Sequence, residues 1–397
     1  MKSALFYERS GNLNQFIENY LENIIPVPFE IETSEGISRL GEGVPRFTVT
    51  IKKMPSKKEL MTSTSLTLGE AYMRGDLEVD RDLYEVLDLF MGKMDKFTTD
   101  KNALKSIIKT SMSKKNQRRE VRSHYDIGND FYELWLDETL SYSCGYFKTE
   151  EDTLYQAQIN KVDHILEKLH LEKGMRLLDI GCGWGFLLKR AAKKYGVHGV
   201  GITLSEEQKK KFQEDIVREG MTDLLEVRLL DYRELEKSGM EFDRVVSVGM
   251  IEHVERGNYE RFMRNVDAVL TPGGLFLLHY ISALRENPGD AWIRKYIFPG
   301  GTIPSLREII NILPDYNFYT LDVESLRRHY NKTLLCWREN FRKCKDKVAA
   351  DKGEDFARMW ELYLASCAAT FRNGIIDLHQ ILISKGVNND LPMLRVV

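Results

Sequence analysis

An apolar strand that runs straight into three alternating glycines constrains this chain more than any other feature. It reads LLDIGCGWGF, Leu177 to Phe186, and helix-forming residues follow it. Glycines at 181, 183 and 185 permit a tight turn and bring main-chain N–H groups within contact of a ligand, where Cβ atoms would obstruct it. The spacing is not the G-x-G-x-x-G of a dinucleotide site, because Trp184 and Gly185 stand where the two-residue gap would be. The turn suits a nucleoside-bearing ligand. A strand-to-helix turn with no ligand is the plainer alternative.

Around this loop the chain alternates regularly. Strands are expected at MRLLDI, VHGVGIT, LEVRLLD, RVVSVGMI and GLFLLHYI, with helices at FLLKRAAKKY, SEEQKKKFQEDIVREG and NYERFMRNVDAVL between them. Strands alternating with helices of these lengths imply a parallel sheet covered on both faces, an α/β doubly wound fold. Ligands then bind at the carboxyl ends of the strands. Ser205 and Gln208 have capping-box spacing, which places a helix start after the second strand. Beyond a Gly- and Pro-rich insertion after Ile281, DLHQILISKG, Asp377 to Gly386, reads as the last strand.

With 397 residues the chain has room for two domains, and residues 1–115 read differently from 116–397. RFTVTIKK, Arg46 to Lys53, alternates like a half-buried strand, and an amphipathic helix is expected from about Asp82, so the first part reads as a small α+β domain. Between Lys101 and Arg122 lie eight basic residues and one acid, an excess of seven positive charges. A solvated helix face explains such a segment; so does attraction to anionic phospholipid head groups, worth about 1 kcal/mol per basic residue near the surface. The net charge of −3 argues against a broad nucleic-acid surface. No apolar run reaches membrane-spanning length and the start lacks a secretory core, so a cytoplasmic protein is expected. Five cysteines without ligand spacing read as reduced thiols, and no metal site is expected.

The strand ends supply polar groups for a nucleoside. Asp179 closes the first strand, and Thr203 stands where a dinucleotide fold would carry its ribose-binding acid. Ribose hydroxyls then fall to Thr203 and Gln208. Asp231 and Tyr232, at the end of the third strand, suit an adenine amino group and ring edge, although an Asp in such a place is often only a helix cap.

Six segments together resemble the cyclopropane fatty acid synthase family, in its order and spacing. They are HYDIGNDFYELWLDETLSYSCGYF (124–147), LLDIGCGWGF, GITLSEEQ, MIEHV (250–254), LLHYI (277–281) and FPGGTIPS (298–305). The glycine loop looks like that of S-adenosylmethionine (AdoMet) methyltransferases, and HYDIGNDFY with YSCGYF is far more specific than the loop. The likeness covers roughly residues 115 to 386, and the N-terminal domain with its basic linker looks like the branch that acts on phospholipids. The resemblance implies a class I AdoMet methyltransferase core and addition of a methylene from AdoMet across a cis double bond of a membrane phospholipid acyl chain. Peripheral association with the inner face of the membrane and a homodimer are implied in the same way. Tyr125, Tyr142 and Ser143 join Asp179, Gly181, Gly183, Thr203, Gln208, Asp231 and Tyr232 as expected cofactor residues.

The chemistry makes definite demands. An alkene needs no base before it attacks a sulfonium methyl group, but the transfer leaves a carbocation that aromatic faces can stabilise by about 2 kcal/mol or more when desolvated. Tyr125, Phe131, Tyr132, Tyr142, Tyr146 and Phe147 are candidates, most such aromatics being core. Ring closure then requires a proton to leave the added methyl group. The resemblance implies bicarbonate as the base, held by the backbone around Cys144 and Ile281 and by Glu252, His279 and Tyr330. An imidazole, a phenol and backbone N–H groups can donate to that anion, while Glu252 can accept its O–H proton. Each also has a plainer role: Glu252 as a helix N-terminal acid, His279 as a satisfied strand-end histidine, Tyr330 as packing. A covalent role for Cys144 is disfavoured, since the reaction needs no covalent intermediate. The neighbouring alternatives are a lipid C-methyltransferase giving a methyl- or methylene-branched chain, and a non-catalytic binding module.

Overall fold

Strand pairing and apolar burial divide the computed structural model of the protein into two compact units; it describes residues 14–23, 25, 27–92 and 127–393. The first unit takes residues up to 98 together with 290–297 and 334–375, and the second takes 99–289, 298–333 and 376–397. This differs from a division at 115. The helix Glu354–Arg372 carries a buried stripe, including Ala357, Trp360, Leu364 and Ala368, that packs on the helices Thr64–Met73 and Leu83–Met91. Such pairing across nearly 300 positions of chain leaves no local trace in sequence. The basic segment 101–122 and Tyr125 lie outside the described residues.

In the first unit four short strands, β1 (Phe29–Thr33), β2 (Gly36–Leu40), β3 (Thr48–Ile51) and β4 (Leu77–Val79), form a sheet ordered β2-β1-β3-β4. β1 pairs antiparallel with β2 and parallel with β3. Phe29, Ile31, Val49 and Ile51 alternate into its core with Ile17, Leu21 and Leu60. The helix expected near Asp82 starts at Leu83, where the Asp82 carboxylate accepts from the N–H groups of Tyr84 and Glu85. That carboxylate also receives a two-pronged contact from Arg338, at 2.9 and 2.8 Å.

The second unit is a seven-stranded sheet of β5 (Arg176–Ile180), β6 (His198–Thr203), β7 (Leu225–Leu229), β8 (Phe242–Val248), β9 (Leu270–Ala283), β10 (Phe318–Ser325) and β11 (Ile376–Lys385), ordered β10-β11-β9-β8-β5-β6-β7. β5 to β9 are parallel, and the central β5 and β8 are buried along most of their length because helices cover both faces. β11 runs antiparallel to β9, and β10 antiparallel to β11. The parallel, doubly wound core that alternation suggested is present, with an antiparallel edge added to it, and β10 was not foreseen. Its exposed stretch Tyr319–Leu321 gives it little apolar periodicity. β8 also stops earlier than RVVSVGMI implied: Gly249 takes a φ of +64° and Ile251–His253 turn into a short 3₁₀ helix. That turn carries Glu252.

Candidate functional site

The glycine loop leaves β5 with Gly181, Gly183 and Gly185 all at positive φ, of 88°, 54° and 81°. Two of them do separable jobs. A Cβ on Gly185 would come within 2.2 Å of the Phe212 ring, so that glycine allows helix-to-helix packing. A Cβ on Gly183 would meet nothing within 4 Å, because Gly183 faces an open cavity.

The cavity lies at the carboxyl ends of the parallel strands and measures about 180 Å³. Tyr142, Ser143, Asp179, Gly181, Gly183, Thr203, Gln208, Asp231 and Tyr232 all line it. Their hydrogen bonds refine the sequence reading. Ser205 accepts from the Gln208 N–H at 3.3 Å, but the Gln208 side chain does not return the bond; its Oε1 accepts from the Thr203 hydroxyl at 2.8 Å. Half of the capping box is therefore replaced by a Thr203–Gln208 pair turned toward the cavity. Asp231 caps the following turn and is gripped by the Arg233 guanidinium at 2.8 and 2.5 Å, so both its oxygens already accept from Arg233. The Tyr232 hydroxyl is buried and has no hydrogen-bond partner among the described residues.

Lys161 was not visible as a site residue. It sits on the buried face of the helix Leu154–Lys168, lines the same cavity and donates to the Ser143 hydroxyl at 3.0 Å. Burial pulls its ammonium below the usual lysine range, with Asp137, Cys144 and Asp179 partly offsetting this. Burial likewise pushes the Asp179 carboxyl up, against the pull of Lys161. Asp179 Oδ1 has no hydrogen-bond partner among the described residues. A lysine at one position of an amphipathic helix carries no mark in sequence that it points inward. An orphaned carboxylate oxygen, a phenol, the Thr203–Gln208 pair and a glycine floor without Cβ atoms fit the cationic amine, ribose and adenine of AdoMet.

The second set of residues adjoins the first. The cavity reaches Ser143, beside Cys144, and Met250 and His253, on either side of Glu252. Glu252 Oε1 accepts from the Ile281 N–H at 2.7 Å, so that N–H is already engaged, while Oε2 is buried without a partner among the described residues. Burial pushes this carboxyl up to about 7, the Ile281 contact partly offsetting the rise. His279, two residues before Ile281 on β9, is buried; its Nδ1 meets the Gln380 amide nitrogen at 3.2 Å and its Nε2 is unpartnered among the described residues. Burial, with Lys161 and Lys168 adding positive charge, pulls its pKa down to about 3, so the ring is neutral.

The backbone of Leu326 ties Cys144 and Tyr330 to this locus. Its N–H donates to Leu378, the residue opposite Ile281 in the sheet, and its carbonyl accepts from the Tyr330 N–H and lies 3.9 Å from Cys144 Sγ. Burial pushes the Cys144 thiol up, so it is not a thiolate nucleophile. The aromatics divide. Tyr142 faces the cavity, Phe131 and Tyr132 are buried core, and Tyr146 stacks between His164 and His329 at 4.3 and 4.7 Å.

Comparison with known proteins gives the family and the fold. Residues 112–381 match the family model of mycolic acid cyclopropane synthetases, and residues 16–102 match a domain of unknown function, DUF7884. The chain is 39% identical over 359 residues to the cyclopropane-fatty-acyl-phospholipid synthase of Escherichia coli K12, covering 87% of this chain and 90% of that protein. It is 38% identical over 361 residues to a probable fatty acid methyltransferase of Pseudomonas putida, covering 88% and 91%. Among solved structures, the cyclopropane synthase MmaA2 of Mycobacterium tuberculosis matches with a TM-score of 0.64 at 35% identity, over 68% of this chain and 98% of that one. The mycolic acid cyclopropane synthase CmaA1, complexed with SAH and CTAB, matches with the same TM-score at 36% identity, over 68% and 98%. The chain belongs to the mycolic acid cyclopropane synthetase family and carries its class I AdoMet methyltransferase fold.

Proposed function

We propose that the protein adds a methylene group from AdoMet across a cis double bond in an acyl chain of a membrane phospholipid, closing a cyclopropane ring. One observation carries this reading beyond methyl transfer: Glu252 Oε2 and His279 Nε2 are both buried and unpartnered among the described residues, Glu252 lying in sequence between the cavity residues Met250 and His253 and His279 pairing in the sheet with the cavity residue Val248. When bound, AdoMet supplies the methyl group and bicarbonate takes up a proton from it. Methyl transfer would break the sulfonium S–CH3 bond, leaving S-adenosylhomocysteine, and use the alkene π pair to form one carbon–carbon bond, with a cation on the neighbouring chain carbon; loss of a methyl proton to the base would leave the C–H electron pair that closes the ring.

The chain's own residues support each demand. Gly183 leaves room for the nucleoside, and Asp179 and Lys161 place a carboxyl group and an amine at the cavity wall. The neutral His279 donates from Nε2 toward an anion, and Glu252, held by Ile281, presents its second oxygen to the anion's O–H. Tyr142 offers the cation an aromatic face at the cavity wall. The named activities of the Escherichia coli and Mycobacterium tuberculosis relatives agree with this assignment.

Membrane contact follows from the same reading, because the double bond lies among acyl chains. No helix among the described residues is long and apolar enough to cross a membrane. The basic segment Lys101 to Arg122 is the attractor we assign to an anionic, inner-face surface. The decisive experiment incubates the protein with unsaturated phospholipid vesicles and methyl-labelled AdoMet and reads ring protons by NMR. The Pseudomonas putida relative is named a probable fatty acid methyltransferase, which is compatible with a second reading, transfer that ends in a branched chain. Ring closure and methylene formation add the same mass, so NMR distinguishes them. Branched product without ring protons would replace the first reading with the second.

A further inference from the structure

Directly opposite His279 in the sheet, on β11, stands Gln380, a fully buried glutamine. Its amide nitrogen lies 3.2 Å from His279 Nδ1, and its Oε1 accepts from the Lys168 ammonium at 3.1 Å. The Lys168 ammonium is itself fixed, by Glu324 at 2.5 Å and Asp322 at 3.3 Å. A lysine ammonium can only donate, and here it makes hydrogen bonds to Gln380 and Glu324, with Asp322 adding an ion-pair contact. Turning away from the amide would leave the oxygen of a fully buried glutamine without its donor, which is costly.

The consequence is directional. Because Lys168 can only donate, it holds the amide with its oxygen toward the lysine and its NH₂ toward the imidazole. An NH₂ group can only donate, so Nδ1 must accept. A neutral imidazole has one N–H, which is thereby confined to Nε2, the ring nitrogen left without a partner among the described residues. We infer that Gln380, oriented by Lys168, is a positioning residue that locks His279 in its Nε2–H tautomer and makes it an obligate hydrogen-bond donor to an anion. The donor's target rests on the function proposed above; the tautomer does not. A histidine whose Nδ1 accepts from a glutamine cannot become imidazolium without breaking that contact, so the ring donates without competing for the methyl proton.

Nitrogen-15 NMR of histidine-labelled protein tests this without any turnover, since the shift of each ring nitrogen reports whether it carries a proton. The His279 signals are identified by their loss in His279→Gln. The expected spectrum of the parent protein has Nδ1 unprotonated and Nε2 protonated. In Gln380→Glu a carboxylate replaces the NH₂, still pairs with Lys168 and now accepts from the ring, so the proton should appear on Nδ1. Gln380→Leu, which removes the contact without adding charge, should give a mixture of tautomers. In both variants ring formation should fall by about tenfold or more while AdoMet affinity stays within a few fold. A parent protein with its proton on Nδ1, or an unchanged spectrum in both variants, overturns the inference. If the proton moves as expected and ring formation does not change, the tautomer assignment stands and the anion site proposed at His279 falls.

Discussion

Glu252 and Ile281 are joined by a single hydrogen bond, from the Ile281 backbone N–H to Glu252 Oε1 at 2.7 Å, and this contact sets which way the carboxylate faces. The other oxygen is left buried beside the cavity. Burial raises this carboxyl from 4.5 to about 7, so the folded protein holds it protonated below about pH 7, and it accepts an anion's O–H in its ionised form above that. For a carboxyl raised in this way, stability is fully present below about pH 4.5 and is lost as the pH climbs through 7. At about 1.4 kcal/mol per pH unit the cost above pH 7 is about 3 kcal/mol.

Glu252→Gln keeps the shape and removes the charge, so it should stabilise the fold by up to this amount at pH 8 and by almost nothing at pH 4. Urea unfolding of both proteins at the two pH values measures it. The comparison isolates Glu252 from Asp179, whose carboxyl burial also raises. The same variant should lose ring formation. Equal stability of the two proteins at pH 8 would mean that the carboxylate is better solvated than its burial implies.

Substituting His279 should separate binding from chemistry. His279→Ala is expected to bind AdoMet within a few fold of the parent while turnover falls about 10²- to 10⁴-fold, the range for lost acid–base function. Added bicarbonate should restore part of the loss. Unchanged turnover in this variant and in bicarbonate-depleted buffer would remove the base assignment.

The two loop glycines should fail differently. In Gly183→Ala the new methyl group projects into the cavity, so AdoMet affinity by calorimetry should drop tenfold or more, equivalent to about 1.4 kcal/mol, with a small loss of stability. Gly185→Ala drives a methyl group into the Phe212 ring and should cost about 1–3 kcal/mol of folding stability. Retained AdoMet affinity in Gly183→Ala would place the nucleoside elsewhere.

Replacing Lys114, Lys115, Arg118 and Arg119 with Gln should weaken co-sedimentation with anionic vesicles and slow turnover on them, leaving AdoMet affinity intact. The difference should shrink with added salt, because charges in water are screened beyond about 8 Å at physiological ionic strength. Equal vesicle binding at low salt would reduce this segment to a solvated surface.

The features legible in sequence were those that short-range physics dictates. Tight-turn glycines after an apolar strand, the helix start near Asp82 and the strand–helix alternation each follow from a few neighbouring residues, because backbone sterics and apolar periodicity act locally. Glu252 and His279 were nameable only through family resemblance; nothing in MIEHV or LLHYI says that a carboxylate will turn back onto the N–H of Ile281. Lys161, the antiparallel edge of β10 and β11, and the pairing of His279 with Gln380 were decided by tertiary structure alone. Gln380 and Lys168 lie 101 and 111 positions from His279, and no periodicity reaches that far. Only sheet register sets which buried polar groups face one another, and through them where the proton on His279 resides.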